Sequence, residues 1–347
     1  MINALDPDNM PIWIAKLWPT ELSGPAVIAG VNNDDCGVMR WNHRLLVITT
    51  DYINSKPIVL ELGIGDYRCL GRLVVATNLA DLCGSGAEPR ALLTAITMPK
   101  DSKTEDFKSL MKGIKLESKK WGLPVIGGDT KLGESLTILG VAIGSAMSKK
   151  NLFLKNQAKP ADLLWLSGNL GSCSAAVLGL VEGGFPKKWK EWAIKSLTVP
   201  NIPLKKSKEV SQVGIGRGGI DISDGLGNDL SKMCEASGTG VILDVSRIPV
   251  AKQVIQLAQV KGLPPWALAF SSGGEFQFIV TTRKKDFERM SKLGFHFIGE
   301  MTKNNKMVIR LKDGKTVPLP KAGHRDARNL SFYQEIVLLS EEVASVE

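Results

Sequence analysis

Apolar residues along this chain follow two spacings, short continuous runs and repeats at every third or fourth position. The runs are typical of buried strands, and the repeats are typical of helices with one apolar face. The predicted strands are residues 45–50, 91–98, 124–126, 136–146, 163–166, 241–245 and 276–281. The predicted helices are residues 67–84, 106–121, 172–182, 224–236 and 284–293. Strands and helices that interleave in this order predict a fold of the α/β or α+β class.

Glycine and proline interrupt this pattern at three places. Gly127 and Gly128 predict a sharp turn after the strand at 124–126, and residues 186–203 read as irregular chain. The glycine-rich residues 214–219 resemble a nucleotide-binding loop only superficially, because they do not open a helix with the required spacing. We interpret them as a flexible turn.

The length of the chain predicts two domains. At 347 residues it exceeds what one hydrophobic core usually supports. Residues 149–160 form a charged, turn-prone stretch and are the predicted boundary. We therefore expect an N-terminal domain at 1–150 and a C-terminal domain at 151–347.

Charge and cysteine content narrow the class of protein. The formal net charge is +9, but the lysines occur in short groups with few aromatic residues between them, which argues against nucleic-acid binding. No apolar run is long enough to span a membrane, and the first ten residues do not resemble a signal peptide. Five widely spaced cysteines without a CxxC pair indicate reduced thiols, so we expect a cytoplasmic protein.

Acidic residues are concentrated at strand ends and beside glycines. These positions are Asp34, Asp35, Asp51, Asp81, Asp129, Asp221 and Asp224. Carboxylates gathered in one cleft repel one another unless a cation joins them, and hard oxygen ligands near phosphate favour Mg²⁺. The pattern therefore predicts an enzyme that holds Mg²⁺ and a polyphosphate.

Several of these aspartates also have a purely structural interpretation. Asp34 and Asp35 could form a turn, Asp51 could cap a turn after its strand, and Asp224 could cap the following helix. Asp81 could be a solvated charge on a helix. The histidines 43, 296 and 324 have no spacing typical of a triad or a metal site.

Six segments occur in the order found in thiamine-monophosphate kinases, and together they cover roughly residues 30 to 330. The segments are residues 33–38 (NDDCGV), 48–51 (ITTD), 78–82 (NLADL) with 86–89 (GAEP), 127–130 (GGDT), 222–226 (ISDGL) and 272–275 (SGGE). The chain therefore resembles that family, which belongs to the aminoimidazole-ribotide-synthetase-like superfamily of ATP-dependent enzymes. The Walker pattern GxxxxGK[ST] is absent from the sequence.

The resemblance implies a two-domain α/β subunit whose N-terminal mixed sheet pairs with a second copy to form a barrel, giving a homodimer. It implies that ATP and Mg²⁺ bind in a cleft between the domains. The implied metal ligands are Asp35, Thr49, Thr50, Asp51, Asp81, Asp129, Asp221 and Asp224. The implied ATP contacts are Gly128, Asp129, Lys155 and Ser223, although Lys155 could equally be a solvated surface lysine.

The segments that would bind the phosphoryl acceptor differ from the family pattern. Ile58 stands where the family has a histidine, and Phe276 follows Glu275 where it has an aspartate. Arg325 lies in a C-terminal segment where the family has aromatic residues. We take Ile58, Glu275, Phe276 and Arg325 as candidate contacts of a phosphorylated small-molecule substrate.

Three functions remain open from the sequence. The first is phosphoryl transfer from ATP to thiamine monophosphate or a related phosphate monoester. The second is another reaction of the superfamily, in which ATP activates a carbonyl or amide oxygen. The third is nucleotide binding without turnover.

Overall fold

The computed structural model describes residues 26–30, 34–53, 57–271 and 273–320, together with residues 331, 333, 334 and 337. These residues form thirteen strands in two sheets and ten α-helices. The strands are β1 (Val27–Ala29), β2 (Gly37–Trp41), β3 (Arg44–Ile53), β4 (Glu88–Pro99), β5 (Val125–Gly133), β6 (Thr137–Ala146), β7 (Leu163–Leu166), β8 (Gly219–Asp221), β9 (Gly240–Asp244), β10 (Phe278–Thr282), β11 (His296–Thr302), β12 (Met307–Arg310) and β13 (Thr316–Pro318). The helices are α1 (Ile58–Glu61), α2 (Tyr67–Ser85), α3 (Thr104–Trp121), α4 (Ser172–Val181), α5 (Lys190–Thr198), α6 (Leu204–Val213), α7 (Leu226–Ser237), α8 (Lys252–Lys261), α9 (Pro265–Phe270) and α10 (Phe287–Lys292).

The first sheet has the strand order β1-β2-β3-β6-β4-β5. Its neighbours are antiparallel except β4 and β5, which run parallel because α3 connects them. In β3 the side chains alternate, so that Leu45, Val47 and Thr49 are buried whereas Ile48 and Thr50 are exposed. One face of this sheet is therefore packed against the protein, and the opposite face carries exposed apolar residues.

The second sheet has the order β13-β12-β9-β11-β7-β10-β8. Only the β12–β9 pair of this sheet runs parallel. The short strand β8 lies at one edge, where Asp221 is paired with Phe278 of β10. This edge brings the end of β8 against helix α2 of the first half.

Helix α2 joins the two halves. Asp66 caps its N-terminus by accepting a hydrogen bond from the Cys69 backbone N–H, at 2.9 Å. Near its C-terminus, a Cβ atom on Gly84 would lie 2.4 Å from the Asp221 backbone nitrogen, so only glycine allows this close approach. The helix thereby fixes the position of β8 relative to the first sheet.

The hydrophobic core is continuous between the halves. One cluster of buried residues includes Val47 and Leu79 of the first half and Trp165 and Phe278 of the second. Phe153 is buried between them and stacks on Phe278 with a ring separation of 5.8 Å. The predicted boundary near residue 150 falls in the connection between β6 and β7, and it stays a prediction.

The prediction of a mixed α/β fold is confirmed, and strand β7 has the predicted bounds. The sharp turn predicted at Gly127 and Gly128 is wrong, because β5 continues through both residues beside β4. The irregular segment predicted at 186–203 is also wrong, since it contains α5. The segment 214–219 begins with Gly214, which ends α6 at a φ of 69°, and finishes at the first residue of β8.

Two further predictions concern cysteines and membranes. All five cysteines are buried and free. Among the described helices, none combines the length and the apolar character that crossing a bilayer requires.

Candidate active site

Four aspartates from separate segments lie near enough to one another to interact electrostatically, where α2 packs against β3 and β8. Asp35 precedes β2, Asp51 lies within β3, Asp81 lies in α2, and Asp221 ends β8. We call these four residues the acidic cluster. The chain gathers them because α2 packs on the face of β3 that carries Thr49 and Asp51, while Gly84 seats the same helix on Asp221.

Hydrogen bonds order this region. Thr49 Oγ1 donates to Asp81 Oδ2 at 2.5 Å, which ties β3 to α2. Lys155 Nζ lies 2.9 Å from Asp35 Oδ1, and the Lys155 backbone N–H donates to Asp34 Oδ2 at 2.6 Å. Lys155 therefore contacts the acidic cluster through an ion pair in which the lysine side chain is mostly buried and the Asp35 side chain is exposed.

Burial and, to a smaller extent, mutual repulsion both disfavour the ionised carboxylates of the site. Burial raises the pKa of Asp81 well above its usual range, and the nearby Asp35 and Asp51 raise it further. Burial and the Asp81 carboxylate do the same to the pKa of Asp221. Burial and Asp35 raise the pKa of Asp34 to about 7. Such shifts mean that, once ionised, the cluster carries more negative charge than the protein neutralises.

A second set of ion pairs stabilises the segment after β8. Asp229 Oδ2 accepts hydrogen bonds from the backbone N–H groups of Ser223 and Asp224, at 3.0 and 2.9 Å. Lys232 Nζ lies 2.6 Å from Asp224 Oδ2 and 2.9 Å from Asp229 Oδ1. Burial raises the pKa of Asp229 to about 6, although Lys232 opposes this shift. The segment that carries Ser223 and Asp224 is thus held by α7.

The comparisons with known proteins agree with this architecture. Residues 33–146 match the family model "AIR synthase related protein, N-terminal domain", and residues 159–312 match the corresponding C-terminal domain. The thiamine-monophosphate kinase of Buchnera aphidicola subsp. Schizaphis graminum is 30% identical over 85% of this chain and 91% of that protein. This chain belongs to the thiamine-monophosphate kinase family. The thiamine-monophosphate kinase of Pyrococcus horikoshii is 28% identical, with 84% of this chain and 89% of that protein covered.

Solved structures show the same fold as this family member. A structure described as "AaThiL complexed with AMPPCP and TMP" superposes with a TM-score of 0.77 at 19% identity. The match covers 93% of this chain and 99% of that one. The predicted membership of an ATP-dependent kinase family with a two-domain synthetase-like fold is therefore confirmed.

Two residues that the family resemblance assigned to metal lie apart from the acidic cluster. Thr50 points to the opposite face of β3 from Thr49, and its Oγ1 donates to the Gly140 carbonyl at 3.0 Å. Asp129 is 62% exposed on β5, and Lys131 lies 3.0 Å from it. The Lys131 ammonium lowers the pKa of Asp129. In the described chain neither side chain joins the cluster.

Gly128 has a structural reason to be glycine. A Cβ atom at this position would lie 2.0 Å from the Thr94 carbonyl oxygen of the neighbouring strand β4. The residue is thus required for the pairing of β4 with β5, whether or not ATP approaches it. Ser223 is exposed beside Asp224, where its side chain is open to a ligand.

The candidate substrate residues have different surroundings. Glu275 Oε1 accepts a hydrogen bond of 2.8 Å from the Cys173 backbone N–H at the start of α4. Phe276 is only 8% exposed and packs in the core, so most of its ring cannot touch a ligand. Ile58 begins α1 and is partly buried against the same core. Arg325 lies outside the described residues.

Asp34, Asp229 and Lys232 were missing from the predicted site residues. Asp34 directly precedes Asp35, the member of the Asp-Asp pair that the resemblance assigns to metal. Asp229 and Lys232 have the three-residue spacing that places side chains on one helix face, directly after the ISDG segment. That spacing could have identified the ion pair.

Proposed function

We propose that this chain is a thiamine-monophosphate kinase, which transfers the γ-phosphoryl group of ATP to the phosphate of thiamine monophosphate and forms thiamine diphosphate and ADP. The observation that carries the proposal is the 30% identity to a thiamine-monophosphate kinase across 91% of that protein. A solved structure with the same fold is described as a complex with AMPPCP and TMP. That description is consistent with ATP and thiamine monophosphate as the ligands of this chain.

The donor set of the acidic cluster fits Mg²⁺. Asp35, Asp51, Asp81 and Asp221 provide only carboxylate oxygens, the ligand type that Mg²⁺ prefers. Within the described residues, no three acidic, histidine or cysteine side chains converge as a ready metal site. The excess negative charge is nevertheless what a divalent cation would balance, and we assign these four residues to hold it. We keep Asp224, beside Lys232, as a further candidate ligand.

Phosphoryl transfer depends mainly on positioning and on neutralising charge. When bound, Mg²⁺ would supply positive charge to the phosphate oxygens of ATP. Lys155, which forms an ion pair with Asp35, would place a second positive charge beside the same phosphates. A phosphate oxygen of the acceptor is already a competent nucleophile, so this mechanism requires no protein general base.

The residues predicted to bind thiamine monophosphate fit phosphoryl transfer less directly than the acidic cluster does. Glu275 is occupied by the Cys173 N–H, and Phe276 is buried. We therefore propose that Glu275 acts by fixing the start of α4 beside the acceptor. Ile58, Phe276 and Arg325 stay as candidate contacts.

The reaction is tested by mixing the protein with Mg·ATP, with and without thiamine monophosphate, and identifying the products by mass. We expect ADP release to depend on thiamine monophosphate, with thiamine diphosphate formed in equal amount. Bound ATP without thiamine diphosphate would contradict the proposed acceptor and favour another reaction of the superfamily.

We also propose that the chain forms a homodimer through the free face of the first sheet. Ile48 is 37% exposed and lies opposite Ile143, while Tyr52 is 58% exposed and lies opposite Leu139. A contiguous exposed apolar face of this kind usually marks an interaction surface. A second copy would cover it with an identical sheet, as closed twofold symmetry allows.

Replacing Ile48 by lysine is expected to convert a dimer into a monomer, because a buried lysine without a partner would oppose association. Light scattering after size exclusion should give twice the chain mass of 37.6 kDa for the native protein and the single mass for the variant. The matched control is Val260→Lys, since Val260 is 65% exposed on α8. A monomeric native protein, or an I48K variant that stays dimeric, would contradict the proposed interface.

We place the protein in the cytoplasm. All five cysteines are free and buried, which is common in compartments that keep thiols reduced. Fractionation of cells that express the full chain would test this location.

A further inference from the structure

A cavity of about 520 Å³ lies apart from the acidic cluster, between three connecting segments. They are the chain after β6, the turn between α6 and β8, and the chain after β10. Six cationic side chains line it: Lys149, Lys150, Lys159, Arg217, Arg283 and Lys285. We call this feature the basic pocket.

Most of these cations lack an acidic partner. Arg217 Nη1 lies 2.8 Å from Asp162 Oδ1, and Arg283 is near enough to the same carboxyl group to lower its pKa; among the described residues the other four cations form no ion pair. Asp162 is itself buried, and its second oxygen accepts the Lys159 backbone N–H at 2.9 Å. Asp286 is the acidic side chain that lines the cavity. The lining therefore has a large excess of positive charge.

Like charges gathered around one cavity repel one another. An anion in the pocket would relieve this repulsion and gain several charge-assisted hydrogen bonds. Neutral donors are also present. The backbone N–H groups of Ile215 and Gly216 have no protein acceptor in the part of the chain that the structure describes. Asn156 and Gln157 add side-chain amides to the lining.

The lining favours a compact anion over a nucleic acid. Among the described residues, no aromatic side chain lines the cavity, whereas single strands are usually held by bases stacking on aromatic rings. A volume of about 520 Å³ accommodates a small molecule, and the excess charge suits an ion with several negative charges.

The pocket is also separate from the proposed catalytic cleft. The short helical turn Lys155–Gln157 lies between the two sites. Its Lys155 side chain contacts Asp35 of the acidic cluster, whereas Asn156 and Gln157 line the basic pocket. An anion in the pocket therefore occupies a different place from the ATP that the cluster would bind.

We propose that the basic pocket is a second ligand site, which binds a compact anion carrying two or more phosphate groups. This inference does not depend on the identity of the phosphoryl acceptor. Its occupant is held by Lys150 and Arg283 together with the other cationic side chains.

Inorganic triphosphate is the probe, and its binding is measured by calorimetry without Mg²⁺, so that the acidic cluster repels it. We expect one saturable site per chain, weakened by salt. The double variant Lys150→Gln with Arg283→Gln should bind at least about tenfold more weakly, because each charged hydrogen bond contributes about 1.5 kcal/mol or more. Its kinase activity at saturating substrates should be retained.

The charge-matched control is Lys187→Gln with Lys188→Gln, which removes two exposed cations elsewhere on the surface. This control should bind triphosphate as the native protein does. Equal weakening in both double variants would show general attraction to a basic protein and overturn the proposal. Absence of a saturable one-to-one isotherm for the native protein would also overturn it.

Discussion

Replacing Asp81 by asparagine is expected to abolish phosphoryl transfer from ATP and, at the same time, to stabilise the protein in the absence of metal. Asparagine has the same shape as aspartate and can still accept the hydrogen bond from Thr49 Oγ1. The substitution therefore removes a charge from the acidic cluster without removing the contact between β3 and α2.

The loss of activity follows from the role of Asp81 as a proposed Mg²⁺ ligand. Removing a residue that merely supports a metal ligand typically costs 10–100-fold, so losing a direct ligand should cost at least about 100-fold. The assay is thiamine-dependent ADP release at saturating Mg·ATP.

The gain in stability follows from the raised pKa of Asp81. An acid whose pKa is higher in the folded state stabilises the fold below its unfolded pKa of about 4. That contribution is lost as the pH rises through the folded pKa. At neutral pH the Asp81 carboxyl group ionises readily in the unfolded chain. In the folded chain, burial and the acidic neighbours make the same ionisation unfavourable.

The metal-free native protein should accordingly lose stability as the pH rises above about 4. Ionisation of Asp34 causes such a loss up to about pH 7, which is its folded pKa. Ionisation of Asp81 and Asp221 extends the loss of stability to higher pH. Urea denaturation in EDTA should give a higher midpoint at pH 6 than at pH 8. The D81N variant should show a smaller difference between these two pH values.

The matched control is Asp313→Asn, which neutralises an aspartate that accepts a backbone N–H in an exposed turn. It should leave both activity and the pH dependence of stability unchanged. If D81N retained full activity, or if it were less stable than the native protein in EDTA at pH 8, the cluster would not have the assigned role.

Replacing Gly84 by alanine is expected to destabilise the protein by about 2 kcal/mol and to lower its kinase activity. The added Cβ would lie 2.4 Å from the Asp221 backbone nitrogen, so either α2 or β8 has to move. Overpacking typically costs about 1–3 kcal/mol, and the cost is at the upper end here because the contact is with backbone. Alanine favours helix over glycine by about 1 kcal/mol, which offsets part of that cost.

Urea denaturation and the kinase assay together check this expectation. Gly37→Ala is the control, because its Cβ would meet only the Ile48 carbonyl oxygen, at 3.7 Å. We expect G37A to change stability by no more than about 0.5 kcal/mol. A G84A variant as stable and active as G37A would mean that α2 and β8 are not held in contact here.

The sequence predicted those elements whose own pattern is strong. Strand β7 is a buried apolar run, and α2 has both an apolar stripe and a capping aspartate, Asp66. The turn predicted at Gly128 was wrong because this glycine is needed for its close approach to Thr94. Rules for turns consider only neighbouring residues, so they do not detect a contact between distant ones. Helix α5 was missed because prolines flank a short helix with few regularly spaced apolar residues.

The candidate site was predictable to a similar extent. The family resemblance supplied Asp35, Asp51, Asp81 and Asp221, which the fold brings together. Strand alternation places Thr49 and Thr50 on opposite faces, but the sequence could not show which of the two faces α2, since that depends on what packs against β3. The environment of Phe276 likewise depends on packing between distant segments.

The close contact of Gly84 with Asp221 also has a consequence for how the chain folds. These residues are separated by more than a hundred positions, and their contact closes a long loop that includes β4, β5 and β6 of the first sheet and β7 of the second. Contacts between such distant residues form slowly, because chain entropy is lost before they contribute any stability. We therefore expect the acidic cluster to assemble late in folding, when the second half docks on α2. A nascent chain that has made only the first sheet would carry Asp35, Asp51 and Asp81 without Asp221.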